Sequence, residues 1–322
     1  MISLRAIVTG IRILIPSLAV LLLGVWFAGQ ILQDRSWLCG LMFYCPTPAL
    51  ALYYLTACVV ALARRSLLWK FYSCLLMVPL LWMLMVENQW RPPCAELADS
   101  IALTDFDEML PTESSSRVIR LVHWNLCRPN ARWRDQRELM RQLDPDIIVL
   151  SETTDVVKSE DFEGFDTFEI YGMLIACHGR MTASSSLVPG KVLNAVAIKC
   201  ELDDGPLHVL IADMTSNLNI WRDPYLRQLT QAMADHQCDI VVGDLNSPRR
   251  SLALLDLPAG YQHAYDVAGA GWGYTWPVPA PVLAIDQCIC GPGVLPEEYR
   301  LQSSLLSDHR IQILDFRRNF RD

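Results

Sequence analysis

Three long apolar runs occupy the first 86 residues, and no other feature restricts the fold of this chain so tightly. Residues 13–32 hold no ionisable side chain, and about 20 apolar residues suffice to cross the hydrocarbon of a bilayer. Residues 41–63 form a second run of this kind and residues 66–86 a third. Lys70 lies near one end of the third, where its ammonium reaches the interface while its stem stays among apolar groups. A removable signal peptide followed by core helices does not fit, because the first run is too long and two more follow it. Three membrane-spanning helices, in an anchor covering residues 1–86, are the expectation.

The basic residues set the orientation. Arg5 and Arg12 precede the first run, and Arg64, Arg65 and Lys70 cluster between the second and third. The loop after the first run offers only Asp34 and Arg35. Basic loops stay in the cytoplasm, so the amino terminus is expected inside and everything after the third run outside, in a multi-pass protein of the plasma (inner) membrane. Residues 87–116 then turn to Pro, Ser and acidic types (Arg91-Pro92-Pro93, Pro111-Thr112-Glu113-Ser114-Ser115-Ser116). This reads as an extracytoplasmic linker, with a short helix expected near residues 97–109. Fully extended at ~3.3 Å per residue it would span roughly 100 Å.

Charge is as uneven as hydropathy. Six of the 27 basic residues and one of the 35 acidic residues lie before Glu87, which leaves 21 against 34 and a net charge of −13 for the rest. Non-specific grip on nucleic acid requires Lys and Arg to neutralise phosphates, so that class of partner is disfavoured, although a nuclease carrying its own divalent metal is not excluded. The eleven cysteines include no CxxC pair that would suggest zinc. Cys39, Cys45, Cys58 and Cys74 fall in or beside the apolar runs and read as small hydrophobes, while a disulfide among those beyond Cys94 stays open.

Beyond the linker the pattern becomes that of an α/β domain over residues 117–316, with a tail at 317–322. Residues 118–125 alternate as a strand ending on Asn125. Residues 131–143 carry apolar side chains at helical spacing (Trp133, Leu139, Met140, Leu143) under a basic outer face, and Asp144-Pro145-Asp146 ends that helix. Ile147-Ile148-Val149-Leu150 is the next strand, followed at once by Glu152. Strands are also expected at 192–199 and 207–212, then a helix at 223–236 with Pro224 in its first turn. Ile240-Val241-Val242 reads as a buried strand that Gly243 ends in a turn, with Asp244 and Asn246 just beyond and on one side of the chain. Ala284 to Cys290 is a strand bearing Asp286, and Ser307-Asp308-His309-Arg310 precedes a last strand at 311–314.

Carboxylates and amides thus recur at successive strand ends, and their chemistry is that of phosphoryl transfer. Glu152 suits a hard divalent cation, to which Asn125 adds a carbonyl oxygen. Asp244 can polarise a nucleophile beside the amide of Asn246, and His309 next to an acid can donate to a phosphoryl oxygen. Each residue alone has a structural explanation as a turn former or a solvated strand end. Their order along the chain carries the weight. His123, His178, His208, His236 and His263 lack such company and read as structural.

With Trp124-Asn125, Pro145-Asp146-Ile147-Ile148-Val149-Leu150-Ser151-Glu152, Gly243-Asp244-Leu245-Asn246, Thr275-Trp276, Ile285-Asp286 and Ser307-Asp308-His309 in view, the domain resembles the endonuclease/exonuclease/phosphatase (deoxyribonuclease I-like) superfamily, and the anchor is similar to its membrane-bound bacterial branch. The resemblance implies a four-layer α/β sandwich, two packed mixed β-sheets flanked by helices. It implies that Asn125, Glu152 and Asp308 attend Mg²⁺ (or Mn²⁺). It gives Asp244 the attacking water, Asn246 a phosphate oxygen, and His309, oriented by Asp286, the charge of the transition state. One position departs: where many relatives place a histidine or tyrosine against the scissile phosphate, this chain has Asp213. A carboxylate beside a phosphate is repulsive unless a metal or a proton intervenes.

The expectation is a membrane-anchored, metal-dependent phosphoesterase acting outside the cytoplasm on a phosphate ester, phosphodiester or pyrophosphate, lipid-linked ones among them. The alternatives are a surface nuclease and, because of Asp213, a catalytically weakened phosphate-binding sensor.

Overall fold

The computed structural model of the chain describes residues 4–90, 117–129, 131–188, 191–203 and 205–319, and the helix expected near residues 97–109 lies outside them. The chain divides into two compact units. One contains residues 1–87 with 218–223 and 250–252, and the other holds the remainder.

The first unit is helical: α1 (Leu4–Leu32), α2 (Trp37–Phe43), α3 (Thr47–Ala63) and α4 (Leu68–Trp82), the last continued by a π-helical turn, Met83–Glu87. Two stretches, Leu14–Leu32 and Leu68–Glu87, are long and apolar enough to cross a membrane. The run expected at 41–63 is not one helix. It belongs to α2 and α3, which are bent by 55° at their break and pass the same test only as a pair. The reason is in the sequence: Pro46 is the N-cap of α3 and Pro48 sits in its first turn, where a proline cannot continue a preceding helix. Trp26, Leu50 and Tyr54 pack at the centre of this unit, and the Tyr54 hydroxyl donates to the Ala19 carbonyl at 2.7 Å.

The second unit opens on β1 (Asn88–Gln89), which pairs with residues 271–272, so the expected linker begins as a strand. Two six-stranded mixed sheets follow. The first sheet is built from β2 (Ile119–Asn125), β3 (Ile147–Ser151), β4 (Asp166–Ile170) and β5 (Met173–Cys177). The second takes β6 (Arg180–Val188), β7 (Leu193–Leu202), β8 (Gly205–Met214), β9 (Ile240–Asp244), β10 (Gln262–His263) and, after the short β11 (Gly271–Trp272) that pairs with β1, β12 (Asp286–Cys290). The chain then returns to the first sheet with β13 (Val294–Gln302) and β14 (Ile311–Arg318). The strand orders are β13-β14-β2-β3-β5-β4 and β10-β12-β9-β8-β7-β6.

Alternation along the strands explains the layering. Leu121, Val149, Ile175, Ile198, Val209 and Val242 belong to one inner core. On the outer face of the first sheet Val122, Trp124, Ile148 and Leu150 pack with Trp133 and Met140 of α5 (Trp133–Gln142). On the outer face of the second, Leu210, Ala212 and Val241 pack with Leu226, Leu229 and Met233 of α6 (Asp223–Asp235). The result is a four-layer α/β sandwich. The ten described cysteines are free thiols.

Polar groups interrupt the inner core beneath one end of the sheets. His123 is fully buried. Its Nδ1 accepts from Gln312 Nε2 at 2.6 Å, leaving Nε2–H to donate to Ser151 Oγ at 3.1 Å. The Tyr299 hydroxyl donates to Gln312 Oε1. Burial drives the His123 pKa down to about 4, so the folded ring is neutral where an unfolded one binds a proton below about 6.5. The stability this neutral ring contributes is present above pH 6.5 and is lost as pH falls towards 4, by on the order of 3 kcal/mol. Melting of the unmodified chain and of His123→Gln between pH 7 and pH 4 is expected to show the steeper loss in the unmodified chain. Equal slopes would remove His123 from the account.

Candidate active site

All eight residues singled out in the sequence sit at one end of the sandwich, four from each sheet. Asn125 ends β2, Glu152 follows β3, and Asp308 and His309 precede β14. Asp213 lies near the end of β8, Asp244 ends β9, Asn246 follows it and Asp286 begins β12. Register brings three of these carboxylates abreast, with Asp213 beside Asp244 and Asp244 beside Asp286. Gly243 does not end its strand in a turn; it is a strand residue. A Cβ there would lie 1.8 Å from the Ala212 carbonyl oxygen, so only glycine admits this approach of β8 and β9.

The tightest group is Asp244, Asp286 and His309, all buried, with one ligand-capable atom from each within 4.8 Å of the others. His309 Nδ1 lies 2.9 and 3.1 Å from the two Asp286 carboxylate oxygens, and its Nε2 faces Asp244 Oδ2 at 3.9 Å. Burial works against a charged His309, but Asp286 above all, with Asp244 and Asp308, overcomes it and raises the pKa to about 9. The ring is therefore an imidazolium at neutral pH, donating Nδ1–H to Asp286. That partnership lowers the Asp286 pKa against its own burial.

Asp244 is pushed the other way. Burial first, then the Asp286 carboxylate, hold its pKa well above the ordinary value, with His309 opposing them. Its Oδ2 accepts from Asn125 Nδ2 at 2.9 Å and its Oδ1 from the Asn246 backbone N–H at 2.9 Å. The first of these bonds joins the two sheets. Asn246 has φ +46, and its Nδ2 donates to Met214 O at 2.7 Å, which leaves its second amide hydrogen for a ligand. Asp213 is raised to about 7 by burial first and then by Glu152 and Asp286. A carboxyl shared between its acid and its anion at neutral pH can donate to a phosphate oxygen, and this relieves the repulsion expected from its charge.

Glu152 is not in the tight group. It has φ +52, its backbone carbonyl accepts from Arg128 N–H at 3.2 Å, and its Oε2 lies 3.6 Å from Arg128 Nε. Asp308 accepts from Trp276 Nε1 at 3.0 Å through Oδ2, while its Oδ1 is buried with no hydrogen-bond partner. An orphaned buried carboxylate oxygen, with a second carboxylate and an amide oxygen on the same sheet, is a hard oxygen donor set. Oxygens of this kind fit a hard divalent cation. By contrast, Asp286 already holds His309 through Nδ1, so the Asp–Asp–His group has the geometry of a hydrogen-bonded imidazolium.

Several residues to which the sequence assigns no role of their own support the group. Ser307 Oγ donates to Asn125 O at 2.7 Å and accepts from His309 N–H at 3.1 Å. Trp124 Nε1 donates to His309 O at 3.1 Å. Buried Gln136 on α5 donates to both Leu126 O and Leu306 O. Together they fasten the His309 loop to the end of β2. Thr275 Oγ1 accepts from the backbone N–H groups of Ile285 and Asp286 at 3.1 and 3.2 Å, which fixes the start of β12. Cys127 and Arg128, between Asn125 and α5, have φ +52 and +54, a conformation no sequence feature announces.

The family model described as Endonuclease/Exonuclease/phosphatase family matches residues 122–309, a stretch that begins in β2 and ends on His309. The chain belongs to that family. Its enzymes hydrolyse phosphoester bonds and are generally dependent on a divalent metal. Among solved structures, an endonuclease/exonuclease/phosphatase family protein from Bacteroides thetaiotaomicron is similar at TM-score 0.53 and 13% identity, covering 64% of this chain and 100% of its own. A mannosyl-6-phosphatase from the same organism is similar at TM-score 0.50 and 14% identity, covering 62% and 99%. A humanized D. rerio TDP2 is similar at TM-score 0.49 and 17% identity, covering 62% and 98%. No curated protein matches the chain.

Proposed function

We propose that this protein is a membrane-anchored, divalent-metal-dependent phosphoesterase that acts outside the cytoplasm. The observation that carries the catalytic part is the buried Asp244–Asp286–His309 group, bonded across the sheets to Asn125. In this reading Asp244 takes a proton from water as the water oxygen attacks phosphorus. Its raised proton affinity suits that task. The His309 imidazolium, held by Asp286, stabilises the negative charge on the phosphoryl oxygens as the bond to the leaving group breaks. Asn246 supplies its second amide hydrogen to a phosphate oxygen, and Asp213 in its protonated form supplies an O–H. Glu152 and Asp308, with the Asn125 carbonyl, would hold the divalent ion, which supplies Lewis-acid polarisation of the phosphate when bound.

The anchor rests on α1 and α4, on the α2–α3 pair, and on the exposed apolar side chains they carry, Leu21, Leu52, Leu62 and Met85 among them. The basic residues flanking them favour an interior amino terminus. The substrate class is a phosphate ester, diester or pyrophosphate in the envelope, and an anchored site favours one borne on a lipid. The likeness in fold to a sugar-phosphate phosphatase is compatible with a monoester. The acidic balance of the domain disfavours a nuclease.

Full-length protein in detergent, assayed with and without Mg²⁺ against a phosphate monoester, a phosphodiester, a lipid pyrophosphate and a supercoiled plasmid, tests the reading. Metal-dependent turnover of at least one small substrate is expected, with losses of about 10²-fold or more in Glu152→Gln and in His309→Ala. Wild-type rates in both variants would overturn the site. Nicking of the plasmid alone would make the protein a nuclease.

A further inference from the structure

Arg128 is a cationic side chain beside the oxygen donors, and the described mechanism leaves it unused. It sits on the turn after β2, where Cys127 and Arg128 are successive non-glycine residues in the left-handed region. Such residues cost roughly 1–2 kcal/mol each. Three bonds over-determine the turn: Leu126 N–H to Ser151 O at 3.0 Å, Cys127 N–H to Asn125 Oδ1 at 2.9 Å, and Arg128 N–H to Glu152 O at 3.2 Å. They place the guanidinium against Glu152, Nε to Oε2 at 3.6 Å, with the Arg128 side chain 82% exposed. An ion pair so open to water is worth little by itself. A strained turn kept for a weak contact points to a ligand that the guanidinium takes from solvent.

We propose that Arg128 is a substrate-binding residue that grips a terminal phosphoryl group, and that it selects phosphomonoesters or pyrophosphates over diesters. The proposal rests on the phosphoesterase reading for its biological meaning. Arg128 and a divalent cation compete for the charge of Glu152, so an ion on Glu152 frees the guanidinium fork for an anion. His309 and the ion each claim a phosphoryl oxygen. Asn246 and Asp213 share the same oxygens, which accept more than one bond each, so what a terminal phosphate adds over a diester is a third non-bridging oxygen and a second negative charge, both matched by the fork of Arg128.

The test uses the full chain in detergent with probes that require no turnover. Mn²⁺ alone, followed by electron paramagnetic resonance, is expected to bind Arg128→Ala about 3–10-fold tighter than the unmodified protein, because the competing cation is gone. Inorganic phosphate, titrated onto the Mn²⁺-loaded protein, is expected to bind Arg128→Ala about tenfold more weakly, while dimethyl phosphate changes less than about twofold. Arg128→Lys is expected to recover part of the phosphate affinity, since it keeps the charge without the fork. Unchanged Mn²⁺ affinity, or equal weakening for both phosphates, would overturn the proposal. If the predicted binding differences appear but the unmodified protein hydrolyses nothing, the role of Arg128 stands and the phosphoesterase reading falls.

Discussion

Asp244→Asn is expected to lower kcat by about 10²–10⁴-fold on whichever phosphate substrate proves active, the range found for losing a positioned base. The same variant is expected to be at least as stable as the unmodified protein. Burial and the Asp286 carboxylate disfavour a charged Asp244, so a neutral amide of the same shape removes a cost from the folded state. Its single carbonyl oxygen keeps the bond from Asn125 Nδ2, while its NH2 faces the Asn246 backbone N–H, from which Asp244 Oδ1 accepts in the unmodified chain. That loss of about 1 kcal/mol is smaller than the desolvation and repulsion removed. Steady-state rates and thermal melting on one preparation separate the two effects. A rate within tenfold of the unmodified enzyme would sink the assignment of Asp244 as base, and a lower melting temperature would contradict the electrostatic account.

The second large effect is purely mechanical. Gly243→Ala would set a Cβ 1.8 Å from Ala212 O and 2.8 Å from Ala212 C, both backbone atoms in the neighbouring strand. Neither can swing aside, so β8 and β9 must separate where Asp213 and Asp244 are in register. A loss of about 3–5 kcal/mol is expected, read as a large drop in melting temperature of the full chain. Gly271 supplies the control, because its φ is +73 yet nothing lies within 4 Å of its missing Cβ. Gly271→Ala is expected to cost only about 1 kcal/mol of backbone strain. Comparable melting of the two variants would mean that the approach at Gly243 is not as close as described.

The same glycine shows where one-dimensional reading stops. Gly243 after a β-branched run reads as a turn, because what forbids a side chain there is a carbonyl 31 positions earlier. Strand–helix–strand order around residues 119–151 was legible from periodicity, and the sandwich followed from the family's ordered motifs. The hairpin of β4 and β5 was not, although Tyr171 and Gly172, both at positive φ, form the two-residue connection that such strands favour. Pro46 and Pro48 announced the break inside the run at 41–63, but its hydropathy outweighed them. Carboxylates and amides at strand ends were enough to name the residues that lie together at one end of the sandwich. The fastening role of Trp124 and Ser307, which stand in the motifs, and of Gln136, which does not, was not legible, because each bonds a backbone atom far away in the sequence. Left-handed Cys127, Arg128 and Glu152 left no compositional trace, since tertiary contacts rather than glycine hold them there.

The Asn125–Asp244 bond runs from one sheet to the other. The separation of the two halves of the site therefore follows the spacing of the sheets, which inner side chains such as Val149 and Val209 help to set. On the proposed reading, a methyl group gained or lost there reaches the phosphate as a shift of a fraction of an ångström between the donors of one sheet and those of the other.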